Sequence, residues 1–325
     1  MVVSEKVVNN LAKKLDVHSI HIRVFLSNTK VKELDNIENF YKKYIDESPK
    51  PFVKWVGGKR QLLRQFREMN LYPPYGFDPN KGVYFEPFVG GGAMFFDLLP
   101  NKSILSDTNQ ELIITYNVIK NDVDTLIKKL KEHQVKNSKE YFLKIRTQDV
   151  KNISEVDIAA RFIYLNRTCF NGLFRVNNKG EFNVPYGDNK NPLICDEDNL
   201  KKISAALDGI EIKCQDYKKV LDKARKGDFV YFDPPYYPVN KTSNFTKYTA
   251  TDFLEKEQKE LQNVYLQLHK RGCFVMLSNS DTPFIDKLYS NLNKKIKIYK
   301  VYAGRAINVN PNKRGKINEL VIINY

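Results

Sequence analysis

The sequence predicts an α/β fold, a strand-and-helix sheet domain interrupted by an inserted segment of different character. Three observations carry this. Val83-Tyr84-Phe85, a glycine-rich turn, an apolar helix and Ser103–Asp107 read as the opening of a βαβ unit. The apolar run Phe229-Val230-Tyr231-Phe232 ends abruptly in Asp233-Pro234-Pro235-Tyr236, as a buried strand with a polar tip would. Between these two regions the character changes from about 137 to 200, and residues 166–187 are rich in Asn, Gly, Arg and Phe.

Taken in order, residues 1–48 form a helical extension. Val7, Val8, Leu11 and Leu15 recur at helical spacing, as do Ile37, Phe40, Tyr41, Tyr44 and Ile45. Ser48-Pro49-Lys50-Pro51 reads as a linker. The sheet domain takes 49–115 and 200–325, and the insert takes 116–199. A helix is expected over 93–99 and another over 109–133, with Leu112, Ile113, Tyr116, Ile119, Leu126 and Leu130 on one side. In the insert, a helix around 158–165 gives way to a hairpin turning at Asn177-Asn178-Lys179-Gly180. Strands then follow at 227–232, 273–278, 296–303 and 319–325, with helices at 255–270 and 283–292.

Composition bounds the function. The chain has 325 residues, 42% of them apolar, so it folds around a large core. No apolar run approaches a membrane span of roughly 20 residues. The N-terminus lacks a secretory pattern, which leads us to expect a cytoplasmic protein. The four cysteines and four histidines form no metal-ligand spacing, so neither a metal site nor a disulfide framework is expected. The formal charge of +15 points to a polyanionic partner. From Lys287 to Lys316 there are nine basic residues and no acidic one, interleaved with Tyr289, Tyr299 and Tyr302, which favours phosphate contacts over an ordinary solvated face.

Two motifs carry the chemistry. Phe88-Val89-Gly90-Gly91-Gly92-Ala93 follows a strand, and its small residues let the backbone approach a ligand. It is neither a dinucleotide fingerprint, since Phe95 occupies the third glycine position, nor a phosphate-binding P-loop. Asp107, at the tip of the next strand, suits either ribose hydroxyls or the cap of the following helix. In Asp233-Pro234-Pro235-Tyr236, the prolines remove two backbone donors and fix two φ angles, so the chain leaves its strand stiffly. The result is an acceptor pair, the Asp233 carboxylate and the Pro234 carbonyl, beside an aromatic wall. A planar group with an NH to donate would suit it. In an open α/β sheet the strand C-termini face one crevice, so the glycine loop, Asp107 and Asp233 should converge.

Together, FVKWVGGKRQLL (52–63), FEPFVGGGAMFF (85–96), LSDTN (105–109), LNRTCFNGLFRVNNKGEFNVPYG (165–187), DPPYYP (233–238) and LSNSD (277–281) resemble the DNA adenine-N6 methyltransferases. The order of motifs is that of the α group, and within it the sequence is most similar to the Dam-type enzymes that methylate GATC. The resemblance covers roughly residues 50–325. It implies a Rossmann-like S-adenosylmethionine-dependent methyltransferase sheet with an inserted, mainly helical target-recognition domain carrying a β-hairpin.

The resemblance assigns S-adenosylmethionine to Trp55, Lys59, Phe88, Gly90, Gly91, Gly92, Asp107, Asp216 and Asp233. It assigns catalysis to Asp233, Pro234, Pro235 and Tyr236, which would hold the exocyclic amine of an adenine flipped out of double-stranded DNA. Lys54 matches a residue contacting the first guanine. Leu173 and Pro185 match apolar base contacts, and Arg175 is suited to guanine O6 and N7. Phe170 and Asn171 match a pair entering the space around the flipped base. Arg167 and Asn177 complete the DNA contacts of the insert. Lys241 and Lys247, in the polar stretch 238–249, and Arg305 and Asn308, in the basic stretch 304–316, are expected on the duplex. Other readings are a cytosine-N4 or RNA amine methyltransferase, or a non-catalytic DNA-binding relative. A restriction endonuclease acting on the same site is the one further partner the resemblance suggests, and nucleoid association would follow from DNA binding.

Overall fold

The computed structural model describes residues 48–177, 179–238, 253–290, 292–304 and 316–325, together with Val8, Asn10, Ala12 and Ile22. Its centre is one seven-stranded sheet. The strands are β1 (Tyr84–Glu86), β2 (Ser103–Asp107), β3 (Glu211–Cys214), β4 (Phe229–Phe232), β5 (Phe274–Ser280), β6 (Lys297–Gly304) and β7 (Lys316–Ile323), in the spatial order β3-β2-β1-β4-β5-β7-β6. The first five are parallel, and β7 enters antiparallel between β5 and β6.

This order creates the site. From β1 the chain goes to β2 on one side, and it returns later as β4 on the other. The crevice between them, at the C-terminal strand ends, is a topological switch point, where open α/β sheets bind ligands. Both flanking strands are buried along their length, which explains the unbroken apolar runs in the sequence.

Strand alternation divides the core into two layers. Tyr84, Phe229, Tyr231, Met276 and Val321 face one layer, continuous with the helical insert. Phe85, Val230, Phe232, Leu277 and Leu320 face the other. The helices are α1 (Leu63–Glu68), α2 (Ala93–Leu98), α3 (Gln110–Asn121), α4 (Val123–Lys136), α5 (Lys139–Arg146), α6 (Glu155–Thr168), α7 (Glu197–Leu207), α8 (Val220–Lys223), α9 (Glu255–Arg271) and α10 (Pro283–Tyr289). Helix α9 covers the second layer with Leu261, Val264, Tyr265 and Leu268.

Several expectations change. The helix expected over 109–133 is two helices, because Asp122 leaves the helical region (φ −149°, ψ 52°) and ends α3. The insert boundaries drawn at 116 and 199 fall inside α3 and α7, whose apolar faces belong to the same core as the sheet. The hairpin turning at 177–180 is held by two isolated antiparallel bridges, Val176 with Phe182 and Cys169 with Tyr186, rather than by a ladder. Strand β3 carried no expectation, since it is a charged edge strand whose Glu211 pairs with Lys213 and Lys223. The Ser48–Pro51 segment does not hang free: Asn199 on α7 accepts from the Lys50 amide (2.8 Å) and donates to its carbonyl (2.9 Å). Of the N-terminal extension, Val8, Asn10, Ala12 and Ile22 are helical, and Val8, Ala12 and Ile22 are buried. Its other predicted apolar positions lie outside the described residues. No helix among those described is long and apolar enough to cross a membrane.

Candidate active site

The glycine turn joins β1 to α2 over the end of β2. The Val89 amide donates to the Ser106 carbonyl (2.9 Å), and the Gly92 amide closes the turn on Val89 (2.7 Å). Gly90 and Gly92 take φ values of +45° and +68°, conformations that favour glycine. Space is equally restrictive. A Cβ at 90 would lie 2.6 Å from the Trp55 indole, and one at 92 would lie 2.6 Å from the Tyr116 hydroxyl. That hydroxyl donates to the Gly90 carbonyl (3.0 Å), fixing the turn from α3.

Asp107 accepts from the Gly90 amide (3.1 Å) and from the Asn109 amide (3.0 Å). Burial raises its carboxyl above the usual carboxylate range, against the pull of these donors. Asp107 does not cap α3. Asn109 does, accepting from the Leu112 amide (3.0 Å). Of the two roles the sequence left open for Asp107, the helix cap is therefore filled by another residue.

Across the switch point, Asp233 stands at the tip of β4. Its Oδ1 is 2.8 Å from Lys59 Nζ, and the lysine, only 2% exposed, also donates to the Gly57 carbonyl. Burial pushes the Asp233 carboxyl up to about 6, with Lys59 acting in the opposite direction. Lys59 Nζ lies 4.9 Å from the centre of the Tyr236 ring, a cation–π contact. Tyr236 donates its hydroxyl to Glu319 on β7 (2.7 Å), and Glu319 lies 3.9 Å from Lys59. The cradle is thus a buried cation shared by two carboxylates and an aromatic face. Beneath it, Glu86 is buried, and its carboxyl is driven up to about 8 by desolvation. It accepts from the Tyr84 hydroxyl (2.9 Å) and the Phe95 amide (3.1 Å).

Trp55 links the glycine turn to the insert, stacking on Phe174 (5.9 Å) and Phe162 (6.4 Å). Phe88 stacks on Tyr217 (5.2 Å), and Phe232 and Phe253 close the cluster edge-on. Asp216, beside Tyr217, caps a short turn by accepting from the Lys218 amide (2.8 Å).

The insert meets this site through Asn166 on α6. Its side chain accepts from the Lys54 amide (2.8 Å) and donates to the carbonyls of Lys54 (2.8 Å) and Gly172 (2.9 Å). The Lys54 stem lies against Gly172, where a Cβ would come within 2.6 Å of it. Lys54, Phe170, Asn171, Arg175 and Pro185 are exposed, and Leu173 is half-buried. Asn171 sits in the left-handed region (φ 55°), and the Phe170 amide is held by the Pro185 carbonyl (2.9 Å). Arg175 is steadied by Asn183 (2.7 Å).

Two predicted DNA contacts are placed differently. Arg167 turns inward and donates to the Phe52 carbonyl (2.8 Å). Asn177 spends its side chain on the hairpin turn, accepting from the amides of Lys179 and Glu181 and donating to the Glu181 carboxylate. Lys241, Lys247, Arg305 and Asn308 lie outside the described residues. Among the described residues, no group of three or more His, Cys, Asp and Glu is placed to hold a metal.

Sequence reasoning missed Glu319, Asn166 and the amides Gln258 and Asn279 behind the turn. Three of them had a faint signal. Glu319 is the first acid after a basic run, inside an apolar strand, and Asn166 and Gln258 are amides on the buried faces of helices.

A mainly parallel sheet closed by an antiparallel β7, with a glycine turn and acid on one side of the switch point and an Asp-Pro-Pro-Tyr tip on the other, defines a methyltransferase of the Rossmann-like class. Residues 55–307 match the family model for D12 class N6 adenine-specific DNA methyltransferases. The Type II methyltransferase M1.LlaDCHI of Lactococcus lactis subsp. cremoris is 44% identical over 85% of this chain and 95% of its own length. The Type II methyltransferase M.MjaIII of Methanocaldococcus jannaschii is 48% identical over 85% of this chain and 99% of its own. The DNA adenine methylase of Escherichia coli K12 is 33% identical over 84% of this chain and 94% of its own. The chain belongs to the D12 class N6 adenine-specific DNA methyltransferases, and it is an adenine-specific DNA methyltransferase.

Proposed function

We propose that the enzyme transfers a methyl group from S-adenosylmethionine to N6 of an adenine flipped out of duplex DNA, within GATC. The observation that carries this reading is the juxtaposition of Asp107 and the glycine turn, on β2 and β1, with Asp233 on the adjacent β4.

The residues fit the cofactor. The backbone at Gly90–Gly92 lies bare where a Cβ would strike Trp55 or Tyr116, and Asp107 offers a half-buried carboxylate to ribose hydroxyls. The Phe88–Tyr217 stack and Asp216 would take the adenine end. S-adenosylmethionine, when bound, supplies a methyl group already activated by the sulfonium.

The remaining work falls to the chain. Because Lys59 holds Asp233 Oδ1, the other carboxylate oxygen and the Pro234 carbonyl are left to accept the two hydrogens of an exocyclic amine. That orients the lone pair, which resonance with the ring otherwise weakens. With its carboxyl near 6, Asp233 is ionised at neutral pH and accepts rather than donates. Lys59 covers one face of Tyr236, and the other face stacks on the extruded base. Alignment and fixed charges supply the catalysis.

Lys54, joined to Gly172 through the Asn166 clamp, supports GATC reading together with Leu173, Arg175 and Pro185, with Phe170 and Asn171 filling the space the adenine leaves. The relatives named Type II methyltransferases support a restriction endonuclease of the same specificity as a partner, and DNA binding supports residence with the nucleoid in the cytoplasm. The test is tritium transfer from labelled cofactor to duplex DNA, single strands and RNA, followed by digestion with a nuclease blocked by GATC methylation. Label in duplex DNA and protected GATC sites are expected. Label in RNA alone, or full cutting despite labelling, would overturn the substrate or the sequence respectively.

A further inference from the structure

Asp233-Pro234-Pro235-Tyr236 cannot hold itself in place. Its prolines offer no amide hydrogen, so the turn must be anchored through carbonyls and the first amides beyond it. The anchor is a chain of buried amides drawn from two other elements. Gln258 on α9 donates through Nε2 to the Pro235 carbonyl (3.2 Å). Its Oε1 accepts from Asn279 Nδ2 on β5 (2.9 Å). Asn279 Oδ1 accepts from the amides of Tyr237 (3.3 Å) and Ser280 (2.9 Å), and Ser280 Oγ donates to the Tyr237 carbonyl (2.7 Å).

The direction of this relay is dictated at both ends. The Pro235 carbonyl can only accept, so Gln258 must present its NH2 to it and its oxygen to Asn279. The Tyr237 and Ser280 amides can only donate, so Asn279 must present its oxygen to them and its NH2 to Gln258. Both amides are oriented without ambiguity, and both residues are completely buried. Gln258 shares its helix face with Leu261 and Tyr265, where an apolar residue would bury more surface without the cost of desolvating an amide. An amide is useful there because it reaches the turn.

We propose that Gln258, Asn279 and Ser280 are positioning residues for methyl transfer: they set the height and tilt of the Asp233–Pro234 acceptor pair against the amine of the target base. They touch neither base nor cofactor. This rests on the reading of Asp233 and Pro234 as the amine cradle.

The test uses full-length enzyme, S-adenosylmethionine and a GATC duplex carrying either adenine or 2-aminopurine at the target position. Wild type comes first: absence of methyl transfer to this duplex alone would overturn the GATC reading, and absence of transfer to any adenine-containing duplex would overturn the cradle reading itself. The variants are Gln258→Met, which keeps length and loses the amide, and Ser280→Ala, which removes one hydroxyl. We expect the single-turnover methylation rate to fall at least about tenfold in Gln258→Met and about threefold in Ser280→Ala. Cofactor and DNA dissociation constants should stay within about twofold, and the 2-aminopurine signal of base extrusion should be unchanged. Gln258→Asn, which retains the amide on a shorter stem, should recover part of the rate. Wild-type rates in the variants would overturn the proposal. So would losses shared equally by binding, extrusion and rate, which mark general damage. If Gln258→Met does not fold, Ser280→Ala decides by the same criteria.

Discussion

Replacing Lys59 by Met removes the buried cation that two half-buried carboxylates share. Lys59 Nζ is 2.8 Å from Asp233 and 3.9 Å from Glu319. At an effective dielectric constant of about 20, these separations correspond to roughly 6 and 4 kcal/mol of attraction. Much of that is offset by the desolvation of the lysine, and breaking a buried pair from one side costs about 3–5 kcal/mol net. The two acids then face each other without a counter-ion, and one holds a proton to higher pH. The Asp233 carboxyl already sits at about 6, above the ordinary value, so its charge is disfavoured by the fold. Stability in the wild type is therefore lost as pH rises from the ordinary carboxylate range through about 6, and it levels off above that.

In Lys59→Met the loss continues to higher pH, so the stability gap between the two proteins widens from pH 6 to 8. Activity follows the same group. A protonated Asp233 cannot accept on both oxygens, so the acidic limb of the methylation profile should lie near 6 in wild type and about one pH unit or more higher in the variant. Single-turnover rates between pH 5 and 9, with denaturant unfolding at each pH, measure both. An unmoved limb, or a stability gap constant across pH 6–8, would refute the account of Lys59 as the counter-ion of Asp233.

Gly92→Ala should abolish cofactor binding measured by calorimetry and cost roughly 1–3 kcal/mol of stability, because the methyl meets the Tyr116 hydroxyl at 2.6 Å in a backbone region that disfavours Ala. Glu86→Gln should become more stable relative to wild type as pH rises. The Glu86 carboxyl lies near 8 in the fold, so the wild type loses stability between the ordinary carboxylate range and that pH, and denaturant unfolding at pH 5 and pH 8 reads the difference. Arg175→Ala should cost about 1–3 kcal/mol in discrimination at one guanine, seen as methylation of sites altered at that position, with smaller change in non-specific DNA binding.

The parts of the site legible in the sequence are those whose chemistry is local. A glycine run after an apolar strand announces positive φ and close approach, and Gly90 and Gly92 adopt it. Paired prolines announce a stiff exit from a strand, and β4 ends where they begin. Buried parallel strands carry apolar runs, so β1, β4 and β5 were readable, and β2 was readable from Ile104-Leu105 behind the glycine turn, while the charged edge strand β3 was not. Arg167 and Asn177 show the limit. Their residue types suit DNA, and the hydrogen bonds they make to the Phe52 carbonyl and within the hairpin turn were not legible from residue type.

What the sequence by itself determined was the α/β class, the glycine turn, the stiff proline exit from β4 and the family, because backbone conformation and strand burial are encoded by neighbouring residues. What only the tertiary structure decided was partnership: Lys59 with Asp233, Tyr236 with Glu319 from 83 residues away, Asn166 with Lys54 from 112, and the amide relay behind the prolines. Ion pairs and hydrogen bonds depend on separation in space, and strand order, rather than distance along the chain, sets that separation.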